Sequence, residues 1–146
     1  MVVDDEPSIR QLVAFTLEDL GHEVTEASDG DEAVEKIQEL IPDLVVLDVM
    51  MPRLDGWGVL QELRRLGIKR KTRVILLTAK SAENDFVLGW KLGVDDYVTK
   101  PFDPDELAIV VNETLMSTPE QLQQKRSDEL DKSNLLQRIE SAFGES

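Results

Sequence analysis

Leu44-Val45-Val46-Leu47-Asp48 decides the fold. Four consecutive apolar residues read as a strand buried on both faces, as at the centre of a parallel sheet. A carboxylate does not belong in the middle of such a strand, because burying it without a partner is costly. At the carboxyl end it emerges instead into the crevice where open α/β sheets bind ligands. Other strand ends point to the same place: Asp4-Asp5 after Met1-Val2-Val3, Thr78 after Val74-Ile75-Leu76-Leu77, and Lys100 after Tyr97-Val98-Thr99. Acids, a hydroxyl and an ammonium converging there can hold a divalent cation and a phosphoryl group.

Outward from that strand, helical and strand periods alternate. Pro7 opens a first helix with Asp5 or Glu6 available to cap it, and Ile9, Val13, Leu17 and Leu20 follow at helical spacing before Gly21 stops it. Val24 to Ala27 is a modest strand. Ala33, Val34, Ile37 and Leu40 mark a second helix, ended by Ile41-Pro42-Asp43. Trp57 to Leu66 is the third helix, Val74 to Thr78 the fourth strand, Ala82 to Leu92 the fourth helix and Tyr97 to Thr99 the fifth strand. Asp103 caps a fifth helix that starts at Pro104 and carries Leu107, Val110, Val111 and Leu115. This alternation predicts an α/β protein, a parallel sheet with helices on both faces. The first strand is short for its class, so residues missing upstream or a frayed start are expected.

Size and composition narrow the function. The 146 residues suit one domain with an appendage, and 41% hydrophobic residues are enough for a core. A formal charge of −14 disfavours direct nucleic-acid binding and favours cations or basic partners. The absence of cysteine excludes disulfides and thiolate metal sites. The single His22 is read as solvent-facing. No apolar run reaches membrane-spanning length, so a cytoplasmic protein without membrane contact is expected. Asp95-Asp96 and Glu35-Lys36 read as solvated charges, and Met50-Met51 as packing residues.

Residues 117–146 form a helical extension to a domain of residues 1–116. Thr118-Pro119-Glu120-Gln121 reads as a capping box with proline at the first helical position. A continuous helix from Pro119 to Ala142 spans roughly 36 Å, and Gly144 is its expected stop. The apolar set is Leu122, Leu130, Leu135, Leu136, Ile139 and Phe143. The expectation is a protruding amphipathic helix whose last four apolar residues meet a partner or a second copy. The ending Phe143-Gly144-Glu145-Ser146 is read as a natural stop.

The strand-end residues divide the chemistry. Mg²⁺ prefers octahedral oxygen ligands and usually takes one or two carboxylates with waters and phosphate oxygens. Asp5 and Asp48 are candidate direct ligands, Asp4 acts through water, and the Met50 backbone carbonyl offers another oxygen. A cation relieves the repulsion among the carboxylates. Asp48 can then attack a phosphoryl donor in line to give an acyl phosphate. Lys100 pairs with Asp48 at rest and with a phosphoryl oxygen afterwards. Thr78 donates its hydroxyl to another phosphoryl oxygen, and small Ala79 leaves the approach open.

Five stretches in order carry a resemblance: Val2 to Pro7, Leu47 to Pro52, Asp55-Gly56, Leu77 to Lys80, and Gly93 to Phe102. Together they resemble the receiver domain of a two-component response regulator over about residues 1 to 116. The resemblance implies a flavodoxin-like five-stranded sheet of order 2-1-3-4-5 and a stand-alone, chemotaxis-regulator-like receiver. It implies transfer of a phosphoryl group from a sensor histidine kinase or phosphotransfer protein to Asp48 with Mg²⁺ or Mn²⁺. It also implies a cis Lys100-Pro101 bond. Thr78 and the aromatic at Tyr97 become switch residues that alter the helix 4–strand 5–helix 5 surface, for a downstream protein or a homodimer contact. Met50 and Lys80 occupy the variable positions that tune phosphate lifetime. Trp57 and Trp90 are larger than the family often carries. The alternatives are the receiver half of a DNA-binding regulator and an aspartyl-nucleophile phosphohydrolase, which would want an acid at Met50.

Overall fold

The computed structural model describes residues 1–79 and 83–144. Lys80 and Ala82, read above as a lifetime-tuning residue and a helix start, lie outside them, as do Glu145 and Ser146. Strands β1 (Val2–Val3), β2 (Glu26–Ala27), β3 (Leu44–Asp48), β4 (Arg73–Ala79) and β5 (Asp96–Lys100) form one sheet. Its order is β2-β1-β3-β4-β5 and every pairing is parallel. The register sets Asp48 opposite Leu77, Thr78 opposite Thr99, and Ala79 opposite Lys100. The Lys100-Pro101 peptide is cis.

The helices are α1 (Pro7–Asp19), α2 (Gly30–Leu40), α3 (Gly56–Arg65), α4 (Glu83–Lys91), α5 (Pro104–Met116) and α6 (Pro119–Phe143), with a 3₁₀ turn at Ile68–Arg70. Strand alternation distributes them. Val45, Leu47, Val74 and Leu76 point to one face, where Ile37 of α2, Leu60 and Leu63 of α3 and Trp90 of α4 pack. Leu44, Val46, Ile75 and Leu77 point to the other, against Val13 and Leu17 of α1 and Leu107 and Val111 of α5. Each of these buried side chains contributes about 1.5–3 kcal/mol. Central β3 is buried along its whole length, as a strand covered by helices on both sides must be.

Caps fix where helices begin. Asp29, Asp55 and Asp103 accept from the backbone N–H groups of Glu32, Gly58 and Asp105. Thr118 and Gln121 close the expected capping box of α6. The first helix departs from expectation. Glu6 is its N-cap but makes no side-chain cap bond; Asp4 Oδ1 accepts the Glu6 N–H at 2.9 Å instead. The acid at the strand end therefore also anchors the following turn.

Several surface expectations are corrected. Asp95 is 2% exposed rather than solvated, and accepts from Lys69 Nζ, Arg126 and the Val74 N–H. Burial of a carboxylate at that depth is sustained only because cations and a backbone donor surround it. Glu35 is exposed as expected, and Lys36, partly exposed, also bridges Glu32 and the Glu26 carbonyl. His22 is half-buried: the turn at Gly21 brings its N–H to the Leu17 carbonyl, and its Nε2 is enclosed without a hydrogen-bond partner among the described residues. Met51 packs as expected, but Met50 is exposed. The extension is only half protruding. Leu122 is buried and Leu130 packs against the core, whereas Leu135, Leu136, Ile139 and Phe143 are exposed. Among the described residues no helix is long and apolar enough to cross a membrane.

Candidate functional site

Sheet order makes the site. β1, β3, β4 and β5 are successive neighbours, so their carboxyl ends deliver Asp4-Asp5, Asp48, Thr78 and Lys100 to one edge. Carboxylate oxygens of Asp4, Asp5 and Asp48 lie within 4.8 Å of one another. Asp4 is 0% exposed and Asp48 4%, while Asp5 is exposed at the rim. Lys100 Nζ is 3.0 Å from Asp4 Oδ2 and 3.2 Å from Asp48 Oδ1. Thr78 is buried one residue beyond the strand partner of Asp48, and Ala79 beside it is exposed.

One ammonium faces three carboxylates, so the cluster carries an excess of negative charge. Its electrostatics show the strain. Burial first, and then the charge of Asp4, push the Asp48 carboxyl up to about 6, with Lys100 pulling the other way. Burial alone would lower the Lys100 ammonium, but hydrogen bonds and charge from Asp4 and Asp48 outweigh it and raise it. The donor set is oxygen only, which suits a hard divalent cation.

The loop after Asp48 is held tightly. Asp48 Oδ1 accepts a long bond of 3.4 Å from the Met50 N–H, and the Gly56 N–H returns to the Val49 carbonyl at 2.9 Å. A Cβ on Gly56 would stand 2.5 Å from the Asp48 carbonyl oxygen, so only glycine lets α3 start this close to β3. That close approach had no signal in the sequence beyond the Asp55-Gly56 pair.

Tyr97 stands apart from the acidic cluster. It is buried against α4, its hydroxyl donating to the Phe86 carbonyl at 2.8 Å, and its ring packs tilted against Phe86 and edge-on to Trp90. Gly89, in the same helix, leaves the room that the Tyr97 hydroxyl fills. A glycine between Leu88 and Trp90 inside a helical pattern was the available sequence signal for this contact.

A parallel sheet of this order, with acids after β1 and β3, a hydroxyl after β4 and an ammonium after β5, defines a signalling domain of the receiver class. The response regulator receiver domain family matches residues 1–112, and the chain belongs to that family of two-component proteins. It is 51% identical over 107 residues to the alkaline phosphatase synthesis transcriptional regulatory protein PhoP of Bacillus subtilis, covering 73% of this chain and 44% of that protein. It is 48% identical over 118 residues to the probable transcriptional regulator ycf27 of Cyanophora paradoxa, covering 81% of this chain and 48% of the relative. The chain thus spans about half the length of these relatives. Among solved structures, the chemotaxis response regulator CheY4 of Vibrio cholerae superimposes with a TM-score of 0.73 at 34% identity, over 77% of this chain and 94% of that one. The receiver domain of NtrX from Brucella abortus gives 0.74 at 35% identity, over 80% and 98%.

Proposed function

We propose that Asp48 accepts a phosphoryl group from a histidine kinase or phosphotransfer protein, and that the resulting charge switches a protein-binding surface. The observation that carries this reading is the shared Lys100 contact, 3.2 Å from Asp48 and 3.0 Å from Asp4, within a three-carboxylate cluster. An Asp48 oxygen attacks phosphorus in line, the P–N bond of a phosphohistidine breaks, and the electron pair leaves with the imidazole. Asp5 and Asp48 directly, Asp4 through water and the Met50 carbonyl would hold Mg²⁺ or Mn²⁺, which supplies charge neutralisation at the transferring phosphoryl oxygens. Lys100 is positioned to follow the new negative charge, and Thr78 to donate its hydroxyl to it. The domain undergoes one transfer and one hydrolysis per signal and does not act as a turnover enzyme. The hydrolase alternative wants an acid at residue 50, where an exposed methionine stands.

The phosphoryl group adds about two negative charges and three acceptor oxygens. Thr78 and Tyr97 lie on β4 and β5, between Asp48 and α4, so repacking there would alter the α4–β5–α5 surface offered to a downstream protein or a second copy. Residues 1–116 are the receiver unit and 117–146 its extension, in the cytoplasm where a kinase's phosphohistidine is presented. The relatives' names and the 44–48% coverage favour a second reading, that such a receiver forms the regulatory half of a longer transcriptional regulator. The net charge of −14 argues that this portion does not itself touch DNA.

Incubation with acetyl phosphate and Mg²⁺, followed by intact-mass measurement, tests the assignment. Wild type gains about 80 Da, one phosphoryl group, and loses the gain when the metal is chelated beforehand. Asp48→Asn gains nothing; equal labelling of both proteins would remove Asp48 from the role.

A further inference from the structure

The first half of α6 lies on the face that α4 and the start of β5 make. Lys125 Nζ donates to Asp96 Oδ2 at 2.6 Å, Arg126 donates to Asp95 Oδ1 at 2.6 Å, and Leu130 packs on the cluster that holds Trp90 and Tyr97, while Leu122, one turn earlier, is buried where it lines a cavity with Val111 and Leu115 of α5. Residues 122, 126 and 130 share one helical stripe with 125 beside it, so a single face makes every one of these contacts. The two acids it meets are consecutive, one ending the turn after α4 and one opening β5.

Asp95 is buried, yet it would not be stranded if Arg126 left, because Lys69 Nζ at 2.9 Å and the Val74 N–H at 2.8 Å remain. Lys69 and Arg126 are two cations on one carboxylate and repel each other, which weakens the grip of either. Arg126 can therefore leave without stranding Asp95. The α4–β5 face carries Asp96 and Tyr97 on the same strand that ends at Lys100.

We propose that α6 is a displaceable occupant of the α4–β5 face, latched by Arg126 on Asp95 and Lys125 on Asp96. The face accepts in its place a partner helix that carries a leucine, two adjacent basic residues three and four positions on, and a second leucine eight positions on. Charge complementarity fixes that chemistry: Asp95 and Asp96 call for cations, the apolar surface at Trp90 and Tyr97 calls for the second leucine, and the end of α5 calls for the first. The regulatory use of this exchange rests on the signalling role proposed above; the exchange itself does not.

The probe is a fluorescent peptide of residues 117–144, and the receptor is the full chain, as wild type and as the Lys125→Ala/Arg126→Ala double variant. Fluorescence anisotropy is expected to show at least tenfold tighter peptide binding to the double variant, whose own helix no longer competes. A peptide with both basic residues changed to glutamate is expected not to bind. Equal affinity of wild type and variant, or equal binding of the reversed peptide, overturns the proposal. A second measurement needs no variant: excess unlabelled peptide is expected to speed hydrogen exchange at residues 121–130 of the wild-type chain, and unchanged exchange overturns the proposal too. Phosphoryl uptake by both chains, read by mass, reports separately on Asp48. Its loss in wild type would sink the signalling role while leaving the peptide result to stand.

Discussion

Lys100 sits closer to Asp4 than to Asp48, 3.0 Å against 3.2 Å, although Asp48 is the residue proposed to accept the phosphoryl group. The two carboxylates share one ammonium, and Asp4, wholly buried, holds the shorter contact. Asp4 therefore acts on Asp48 in two ways, as a like charge and as a competitor for its counter-ion.

Asp4→Asn removes both effects. The Asp48 carboxyl, now raised to about 6 by burial and by Asp4, is expected to titrate lower in the variant, with Lys100 turned wholly toward it. Carboxylate NMR titration of Asp48 checks the direction, and an unchanged midpoint would show that burial alone sets it. The same variant loses one carboxylate from the cation cluster, so Mg²⁺ affinity is expected to fall by roughly tenfold or more.

The raised Asp48 also makes metal-free stability depend on pH. Its folded value of about 6 exceeds the ordinary 3.8, so the folded chain binds more protons than the unfolded chain between those values. Stability contributed by Asp48 therefore falls as pH rises from about 4 through about 6, and the penalty is complete near neutrality. Asp48→Asn is expected to stabilise the metal-free protein at pH 7 by about 1 kcal/mol, and by much less at pH 4. Thermal melts at the two pH values measure this. In wild type, Mg²⁺ at a hundred times its dissociation constant is expected to add about 2.7 kcal/mol, an increment largely absent in Asp48→Asn.

The parallel sheet and the cluster at its edge were legible because their signals are local, whereas the strand order followed from the resemblance to receiver domains. An apolar run ending in Asp48 states both burial and exit, and a parallel sheet then forces neighbouring strand ends together. The fate of Asp95 was not legible. Adjacent acids in a turn look solvated, and only the fold brings Lys69 and Arg126 to them from 26 and 31 residues away. The path of α6 was missed for the same reason. Its stripe is thin in sequence, and ion pairs rather than a continuous apolar face hold its first half. His22 failed differently: a glycine turn predicts the reversal but not what the next side chain folds onto.

Gly89→Ala inverts a helix-propensity rule. In an exposed helix this change stabilises by roughly 1 kcal/mol. Here the added methyl would collide with the Tyr97 hydroxyl and ring, so a destabilisation of about 1–3 kcal/mol is expected. Denaturant unfolding of Gly89→Ala, Tyr97→Ala and the double variant gives the interaction energy. A double variant more stable than Tyr97→Ala alone, with the usual propensity gain restored, is the expected result. Additive losses would mean that the two residues do not constrain each other.

The two ends of the Asp95–Arg126 pair are expected to respond unequally. Arg126→Ala leaves Asp95 with Lys69 and the Val74 N–H, so the cost is limited to one charge-assisted bond and some packing, about 1–2 kcal/mol. Asp95→Ala strips Lys69 of its buried partner, leaves the Val74 N–H without its acceptor and frees Arg126 at once, so about 3–5 kcal/mol is expected. Raised salt should narrow the Arg126 effect more than the Asp95 effect, because Arg126 is the more exposed of the two. Urea unfolding of both variants at low and high salt measures the ratio. Equal losses would mean that Asp95 depends on Arg126 as much as on Lys69, and that α6 is a fixed part of the receiver rather than a helix laid upon it.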